Sequence, residues 1–264
     1  MRRLNLENTD LSELIDQLSP KLRHEPVADD ASYSLADARA RLLAIDPEGY
    51  SRTRNYFNGK VTRLSIYITA GIFSVREIVE FVLERFGFAG SQKLLSELMW
   101  RMYFRSFLNL HPQCATHDYS PYKTGFFAED YGPELPSDIR AAHTPSAAIN
   151  SLVTTLVQTG YLHNHARMYL SAYVVHVRRI RWQAGASWMF HHLIDGDQAS
   201  NALSWQWVAS TLSAKPYFFN LENLQKFSAG QLDASEATNP ELAGTYPERE
   251  ARLFRQQIPH KEGL

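Results

Sequence analysis

The sequence predicts an all-α protein. Its clear apolar patterns repeat about every 3.6 residues, which is the spacing of one helix face. No series of segments alternates apolar and polar residues as strands do. The helix stop signals Gly87, Pro112 and Gly160 follow the three best patterns. With 264 residues, the chain can form one large domain and bury most of its apolar surface.

The N-terminal residues 1–48 indicate two short helices, separated at Pro20 and Pro26, that we expect to pack on the main domain. The start MRRLNLENTDLSEL turns acidic where a signal peptide would be apolar. No apolar run approaches the roughly 20 residues that span a bilayer. We therefore expect a soluble, cytoplasmic protein that does not bind a membrane.

The segment SVREIVEFVLERFG, residues 74–87, predicts a helix buried on one side. Ser74 and Glu77 are spaced as a capping box, and Gly87 can end the helix in the left-handed conformation. One apolar stripe contains Val75, Ile78, Val79, Val82, Leu83 and Phe86. A second helix should run from about Ser91 to His111, before Pro112.

Two further helices follow a long connection, residues 116–145, that is rich in Pro, Gly, Asp and Tyr. The first should begin with Thr144 as its cap and Pro145 at its first position, and end at Gly160. The second should cover roughly residues 163–182. After a main domain of residues 49–228, residues 229–264 form a polar C-terminal extension with little apolar period.

Composition excludes several kinds of site. A net charge of -1 gives no global field for an acidic polymer, so any nucleic-acid site must be a local patch. The single cysteine, Cys114, excludes an internal disulfide and a cysteine-built metal site. Nucleotide-binding glycine motifs, the HExxH zinc motif and the GxSxG nucleophile motif are all missing.

The stretch DGDQASNALSWQW, residues 195–207, combines carboxylates, an amide and two tryptophans. It is not a calcium loop, because Ala199, Ser200 and Gln206 stand where an EF-hand needs a ligand, a glycine and a glutamate. The histidine pairs His163/His165 and His191/His192 diverge on a helix, so neither pair alone can hold a metal. We expect a polar ligand loop without a metal.

Two helix faces extend this ligand hypothesis. Glu97, Trp100 and Arg101 project from one face, and Asn164, Arg167 and Met168 are spaced in the same way. The alternatives are an exposed Glu97–Arg101 ion pair beside a half-buried tryptophan, and a solvated helix edge with one core methionine. Together with residues 195–207, however, both faces supply what a large planar polar ligand needs.

Four motifs resemble the flavin-binding domain of the DNA photolyase and cryptochrome family. TRLS at 62–65 is similar to the family's TSRLS turn, and ELMWR at 97–101 to its ELIWRE helix. TGYLHNHARM at 159–168 is similar to TGWMHNRLRM. LIDGDQASNALSWQW at 193–207 is similar to LIDGDLAANNGGWQW. The order and spacing of the motifs are those of the family.

This resemblance implies a helical domain that holds FAD in a folded conformation. Thr62, Arg63 and Ser65 would hold the diphosphate, Asp195 would pair with Arg167 beside the isoalloxazine ring, and Asn201 would face the ring's central nitrogen. The implied cofactor-binding residues are Tyr50, Arg54, Thr62, Arg63, Leu64, Ser65, Leu94, Glu97, Arg101, Asn164, Arg167, Asp195, Gly196, Asp197 and Asn201.

The resemblance also implies light-driven repair of cyclobutane pyrimidine dimers by electron transfer from reduced FAD. The dimer would flip out of the strand into a pocket. The implied catalytic residues are Glu97, Trp100, Asn164, Met168, Asn201 and Trp207. The implied DNA-binding residues are Trp100, Arg101, Arg105, Asn164, His165 and Trp207. Members acting on six-four products carry histidines in place of Asn164 and Met168, so this sequence is of the dimer type.

Three departures from the family pattern change what we expect of the chromophores, the electron route and the DNA-binding surface. Fewer than fifty residues precede the flavin domain, so we expect no antenna chromophore. Trp205 and Trp182 match the inner two members of the electron-transfer chain, but Ile139 aligns near the outer one. We therefore expect either slow photoreduction or an electron route through a tyrosine such as Tyr161 or Tyr173. RAAHTPSAAINS at 140–151 replaces a family segment on the DNA side.

Two functions follow from this pattern. The first is repair of ultraviolet-damaged DNA, single-stranded rather than duplex, because a near-neutral chain neutralises few phosphates. The alternative is a cryptochrome-like blue-light receptor that signals through flavin redox change and a partner. A local basic patch would consist of Lys60, Arg76, Arg105, Arg140, Arg178, Arg179 and Arg181, although Arg178–Arg181 also fit a solvated helix end.

Overall fold

The computed structural model describes residues 33–255, and the all-α prediction is confirmed. Within that range, extended segments pair only in an isolated bridge between Gly132 and Ile180. The α-helices are α1 (Leu35–Leu43), α2 (Pro47–Thr53), α3 (Ser65–Thr69), α4 (Val75–Phe86), α5 (Gln92–Leu110), α6 (Ser137–Arg140), α7 (Ala147–Thr159), α8 (Asn164–Ala172), α9 (Trp182–His192), α10 (Gln198–Ala209), α11 (Leu221–Ser228) and α12 (Tyr246–Leu253). The helix predicted before Pro20 lies outside the described residues. The one predicted between Pro26 and residue 48 is described only from residue 33, where α1 (Leu35–Leu43) is present and α2 begins at Pro47.

Helix α4 follows its sequence pattern closely. The capping box between Ser74 and Glu77 is present, and Ile78 and Val82 are buried. Leu83 departs from the expectation, because it lies at the edge of the stripe and is exposed. Gly87 has a positive φ of 69° but an extended ψ of 172°, so the helix does not end in the left-handed helical conformation. Helix α5 ends before Pro112, as predicted.

The predicted cap of α7 was wrong by two residues. Ser146, not Thr144, is the N-cap, and its hydroxyl accepts from the Ile149 amide at 3.4 Å. Thr144 instead hydrogen-bonds the side chain of Asn150, which satisfies the turn before the helix. Gly160 ends the helix in the left-handed conformation, as expected.

The predicted helix over 163–182 was also wrong, because the chain breaks into two helices. Helix α8 ends at Ala172 and continues as one π-helical turn, Tyr173–Val177. Arg179 then adopts a positive φ of 50°, which ends the helical path. The next helix, α9, begins at Trp182.

Two apolar clusters form the interior. The larger one joins α7, α8, α9 and α10 and contains the fully buried rings of Tyr169, Trp182 and Trp205. The smaller one joins α1, α3, α4 and α5 around residues such as Ile78 and Leu94. Polar residues that project from α5, α8 and the start of α10 meet where the clusters adjoin.

The described part of the C-terminal extension packs on the larger cluster. Asn239 is fully buried, and its Oδ1 accepts from the Ser146 hydroxyl at 2.7 Å and the Ala148 amide at 2.9 Å. Leu242, Arg249 and Leu253 are buried as well. Residues 229–255 therefore contribute to the interior, and the boundaries at 48 and 228 stay predictions.

Candidate functional site

The expected pair of Arg167 and Asp195 is present at the start of the site. Arg167 projects from α8, and its Nη2 lies 2.9 Å from Asp195 Oδ2 while its Nη1 lies 3.4 Å from Oδ1. Arg167 Nε also donates to the Leu162 carbonyl at 2.9 Å. Because both side chains are largely buried, this two-point contact fixes the loop before α10 against α8.

Arg101 joins three elements through its guanidinium. Its Nη1 lies 3.0 Å from Asp197 Oδ2. It also donates to the hydroxyls of Ser65 at 3.0 Å and Thr69 at 2.7 Å, both on α3. Burial lowers the pKa of Arg101, and the neighbouring Asp197 opposes that change. Arg101 therefore positions the 62–65 turn and the DGD loop relative to each other.

Glu97 does not pair with Arg101, so the simple exposed ion pair is wrong. Its Oε1 lies 3.2 Å from Arg54 Nη1 and 2.7 Å from Lys93 Nζ. Tyr50 lies beside this group, and burial, followed by the charge of Glu97, raises the pKa of the Tyr50 phenol to about 12. Tyr50 is therefore a neutral hydroxyl in this site at ordinary pH.

The 62–65 turn presents polar groups around one strained residue. Arg63 has a positive φ of 51°, and its guanidinium lies 4.7 Å from the Tyr161 ring centroid. Leu64 and Leu94 are buried in the smaller apolar cluster, so they support the turn from beneath. The exposed Arg63 and the half-buried Thr62 and Ser65 remain in reach of an anion.

Two cavities lie on either side of the Arg167–Asp195 pair. The first, of about 70 Å³, is lined by Arg167 and by Asn164, Met168, Asn201 and Trp205, among others. The second, of about 300 Å³, is lined by Asp195 and by Arg63 and Ser65 together with Arg41, Tyr67 and Tyr161. One cavity thus offers amides and an indole, and the other offers cations and hydroxyls.

Hydrogen bonds hold Asn201, which lines the first cavity, and Asp197 in the loop before it. Asn201 Nδ2 donates to the Ala186 carbonyl at 2.9 Å, which fixes the orientation of its amide. Ser200 Oγ donates to Asp197 Oδ2 at 2.6 Å. Gly196 takes a positive φ of 41° between the two carboxylates. The DGD loop is therefore a rigid hydrogen-bonding frame.

His165 connects the residues expected to face a lesion, although its own side chain is buried. Nδ1 donates to the Asn55 carbonyl at 2.9 Å, and Nε2 accepts from the Tyr217 hydroxyl at 3.2 Å. Burial lowers the pKa of His165, in keeping with this neutral tautomer. The Tyr217 ring packs at 5.8 Å on Trp207. His165 therefore anchors the surroundings of the pocket and does not lie on the surface.

The exposed residues of this region are Asn164 and two tryptophans. Asn164 Nδ2 lies 3.7 Å from the Met168 sulfur, so these residues share one face of α8. Trp100 is 50% exposed and Trp207 is 42% exposed. Large apolar rings with this exposure are available to a ligand.

Trp205 and Trp182 are both buried, and they differ in hydrogen bonding. Trp205 Nε1 has no partner, whereas Trp182 Nε1 donates to Asp118 Oδ1 at 2.5 Å. A Cβ on Gly185 would lie 2.3 Å from Trp205 Cη2, so this glycine lets α9 approach the indole. Ile139, at the expected outer position, is fully buried.

Sequence reasoning missed Asp118 and Gln206. Gln206 is fully buried; its Nε2 donates to the Cys114 and His117 carbonyls, and its Oε1 accepts from the Tyr119 amide. This side chain therefore fixes the connection that carries Asp118. The sequence signal for Gln206 was an amide placed between two tryptophans, Trp205 and Trp207.

The basic run after α8 is neither a solvated helix end nor a free patch. Arg178 pairs with Asp138 at 2.8 Å. Arg179 lies 3.5 Å from the Phe126 centroid and donates to the Leu253 carbonyl, and Arg181 donates to the Ala128 carbonyl. Arg105 lies 3.7 Å from Asp197. The guanidinium groups of these arginines therefore contact mainly other groups of the protein.

Among residues 33–255, no three His, Cys, Asp or Glu side chains are grouped to hold a metal ion. In the same range, no helix is both long and apolar enough to cross a membrane.

The comparisons with known proteins identify the family of this domain. The sequence model of a family described as the FAD binding domain of DNA photolyase matches residues 94–253. The chain is 28% identical over 204 residues to the deoxyribodipyrimidine photo-lyase of Escherichia coli strain K12, covering 75% of this chain and 39% of that protein. It is 31% identical over 188 residues to a deoxyribodipyrimidine photo-lyase of Thermus thermophilus, covering 70% and 44%. The chain thus spans less than half the length of these relatives.

A solved structure shows the same fold. The cryptochrome of Synechocystis sp. PCC6803 superposes with a TM-score of 0.67 at 19% identity, covering 86% of this chain and 53% of that chain. The match to the FAD-binding domain includes the helices that carry Arg101, Arg167 and Asn201. It starts after the 62–65 turn, so the expected role of that turn in binding a diphosphate stays a prediction.

Proposed function

Because the chain belongs to the photolyase and cryptochrome family through its FAD-binding domain, we propose that it repairs cyclobutane pyrimidine dimers with light. The observation that carries the proposal is that hydrogen bonds of the buried His165 link the segments whose residues we expect to face the lesion. One ring nitrogen of His165 donates to the carbonyl of Asn55, whose neighbour Arg54 pairs with Glu97. The other ring nitrogen accepts from the hydroxyl of Tyr217, whose ring packs on Trp207. Asn164 precedes His165 on the same helix.

The residues present suit FAD. Arg167, Asp195 and Asn201 would hold the isoalloxazine ring, and Thr62, Arg63 and Ser65 would hold the diphosphate. When bound, reduced FAD supplies an electron from its light-excited state. The protein's part is to hold this group rigidly and close to the lesion.

The proposed lesion pocket offers aromatic rings to the faces of the dimer and polar groups to its edges. Trp100 and Trp207 would pack on the faces of a flipped-out dimer, because both rings are about half exposed. Glu97 and Asn164 would hydrogen-bond the polar edges of the dimer. Met168 would fill the remaining wall, since it lines the first cavity beside Asn164.

Trp205 and Trp182 would pass electrons to the flavin when it is oxidised. The carboxylate of Asp118 stabilises positive charge on Trp182, whereas the Trp205 indole N–H has no partner. An electron vacancy formed on Trp205 should therefore move outward to Trp182. Of the two tyrosines considered for the outer step, Tyr173 is fully buried, and Tyr161 is partly exposed beneath Arg63.

The proposed substrate is damaged single-stranded DNA in the cytoplasm, and the proposed active cofactor is reduced FAD without an antenna pigment. Arg178, Arg179 and Arg181 contact other groups of the protein, which supports a preference for single-stranded over duplex DNA. These cations offer little phosphate neutralisation to a duplex. A single strand also avoids the cost of unpairing the lesion.

The test is to illuminate the reduced protein with thymine-dimer oligonucleotides, single- and double-stranded, and to measure recovery of base absorbance. We expect recovery on the single strand, a large loss in Glu97→Ala, and no loss in the matched surface control Glu80→Ala. No recovery on either substrate by protein with normal flavin content would refute repair. Equal repair by Glu97→Ala would refute the role of Glu97.

The alternative is a blue-light receptor that signals through flavin redox change. The same internal use of the basic run favours it, because a receptor does not need a cationic DNA surface. This alternative predicts light-dependent flavin reduction that is abolished by Trp205→Phe, together with no repair of any dimer substrate. Repair of a dimer substrate by the wild-type protein would exclude signalling as the sole function.

A further inference from the structure

Helix α5 and the connection after it carry a row of aromatic rings, most of them exposed, that extends away from the proposed lesion pocket. We call Trp100, Tyr103, Phe107 and Tyr119 the aromatic track. Trp100, Tyr103 and Tyr119 are each 50% exposed. Only Trp100, at one end, belongs to the proposed pocket.

The rings of the aromatic track are in continuous contact. The ring centroids of Trp100 and Tyr103 are 5.4 Å apart, those of Tyr103 and Phe107 are 5.9 Å apart, and those of Phe107 and Tyr119 are 5.1 Å apart. Planes of neighbouring rings are tilted by 42° to 89°. Such edge contacts order the rings relative to one another and leave ring surface open.

Buried bonds beneath the aromatic track keep its far end rigid. The amide of Tyr119 donates to Oε1 of the fully buried Gln206 at 2.9 Å. The hydroxyl of the next residue, Ser120, donates to the Thr211 carbonyl at 2.6 Å. The protein therefore holds an exposed aromatic ring on a fixed backbone, which reduces the entropy lost when a ligand binds.

The α5 part of the aromatic track carries an accessible cation and no carboxylate. Residues 98–117 contain no Asp or Glu; Arg101 pairs with Asp197 at 3.0 Å, but Arg105 lies 3.7 Å from that carboxylate and its side chain stays 47% exposed. Asp118, next to Tyr119, accepts hydrogen bonds from Trp182 and Gln183 within the protein. The chain as a whole has a net charge of -1. An acid-free segment with open aromatic faces is complementary to a polyanion whose own planar groups are exposed.

We propose that the aromatic track binds the bases of single-stranded DNA beside the lesion pocket. The proposal rests on the proposed function, since Trp100 belongs to both surfaces. Seven residues of helix separate Trp100 from Phe107, a rise of about 10 Å, which gives room for two or three nucleotides. Duplex bases are stacked on one another and cannot use these rings, so the track selects single strands.

The first test measures binding in the dark, using the full chain with its flavin and a fluorescent, undamaged oligothymidylate. Tyr103→Ala and Tyr119→Ala should each weaken binding about five-fold or more, which corresponds to the loss of one base-stacking contact. Tyr103→Phe should retain binding because the ring remains. The matched controls Phe88→Ala and Phe127→Ala remove rings that are 64% and 75% exposed elsewhere, and they should bind as wild type.

The second test separates the track from the repair chemistry. A thymine-dimer dinucleotide is too short to occupy both the lesion pocket and the track. Tyr103→Ala and Tyr119→Ala should repair this dinucleotide at the wild-type rate, yet repair a long single strand less efficiently at low concentration. If wild type fails on the dinucleotide but the dark-binding pattern holds, the proposed function fails and the track stands.

Three results would overturn the track. The first is wild-type binding of oligothymidylate by both tyrosine-to-alanine variants. The second is equal affinity for undamaged duplex and single strands, because a stacking surface cannot use paired bases. The third is a dimeric wild type that Tyr103→Ala converts to a monomer, which would show that a second copy of the chain covers this surface.

Discussion

Protonation of His176 should make the fold sensitive to acid. His176 is 2% exposed, and its Nε2 donates to the Val208 carbonyl at 2.9 Å, while Nδ1 has no partner. The ring packs at 5.1 Å against Phe254. Burial, reinforced by the charge of Arg179, lowers the pKa of His176 to about 4. Protonation of Nδ1 therefore places an unpaired charge in the interior.

The sign follows from proton binding by the two states. Below an unfolded pKa of about 6.5, the unfolded chain binds a proton that folded His176 excludes, so stability falls as the pH decreases toward 4. With these two pKa values, the loss is about 1.2 kcal/mol between pH 7 and pH 5.5 and about 3 kcal/mol by pH 4. Above about pH 7 both states are neutral at this residue, and the destabilisation vanishes.

Urea unfolding of wild type and His176→Gln at pH 7 and pH 5.5 measures this loss. Glutamine can still donate to the Val208 carbonyl but does not titrate. The stability advantage of wild type over the variant should shrink by about 1.2 kcal/mol at the lower pH. His191→Gln, which changes an exposed histidine, should follow the wild-type pH dependence. A constant difference between wild type and His176→Gln would refute the reasoning.

Three further changes test the interior of the site. Gly185→Ala places a methyl group against the indole of Trp205 and should cost about 1 to 3 kcal/mol in urea unfolding; wild-type stability would contradict that contact. Asp118→Asn removes the charge beside Trp182 and should slow flavin photoreduction at unchanged flavin content, measured by the visible spectrum; an unchanged rate would exclude the electrostatic role. Asp195→Asn should lower the flavin-to-protein ratio after purification, because it weakens the two-point contact with α8; full loading would show that the contact is dispensable.

The sequence predicted features that depend on local rules. The capping box at Ser74 and the stop before Pro112 are short-range signals, and both are present. The Arg167–Asp195 pair was expected from the family resemblance of the motifs that contain the two residues, and it is present. Only the family resemblance indicates which of these groups would face a cofactor, since spacing alone indicated a polar ligand.

Other features depend on tertiary contacts that no local pattern encodes. Thr144 fits a helix cap in the sequence, but Asn150 occupies its hydroxyl and the helix begins later. Arg101 is spaced to pair with Glu97 along α5, yet Asp197 from α10 and the hydroxyls of α3 compete successfully for its guanidinium. In each case, a partner distant in sequence satisfied a polar group that a local rule had assigned elsewhere.

The position of Asn239 constrains how the chain can fold during synthesis. This side chain bonds the first turn of α7 from 93 residues further along the chain. Until that residue has been synthesised, the turn lacks its buried partner. The nascent chain therefore carries an incompletely paired helix end until residue 239 is available, and the interior at the start of α7 can be completed only then.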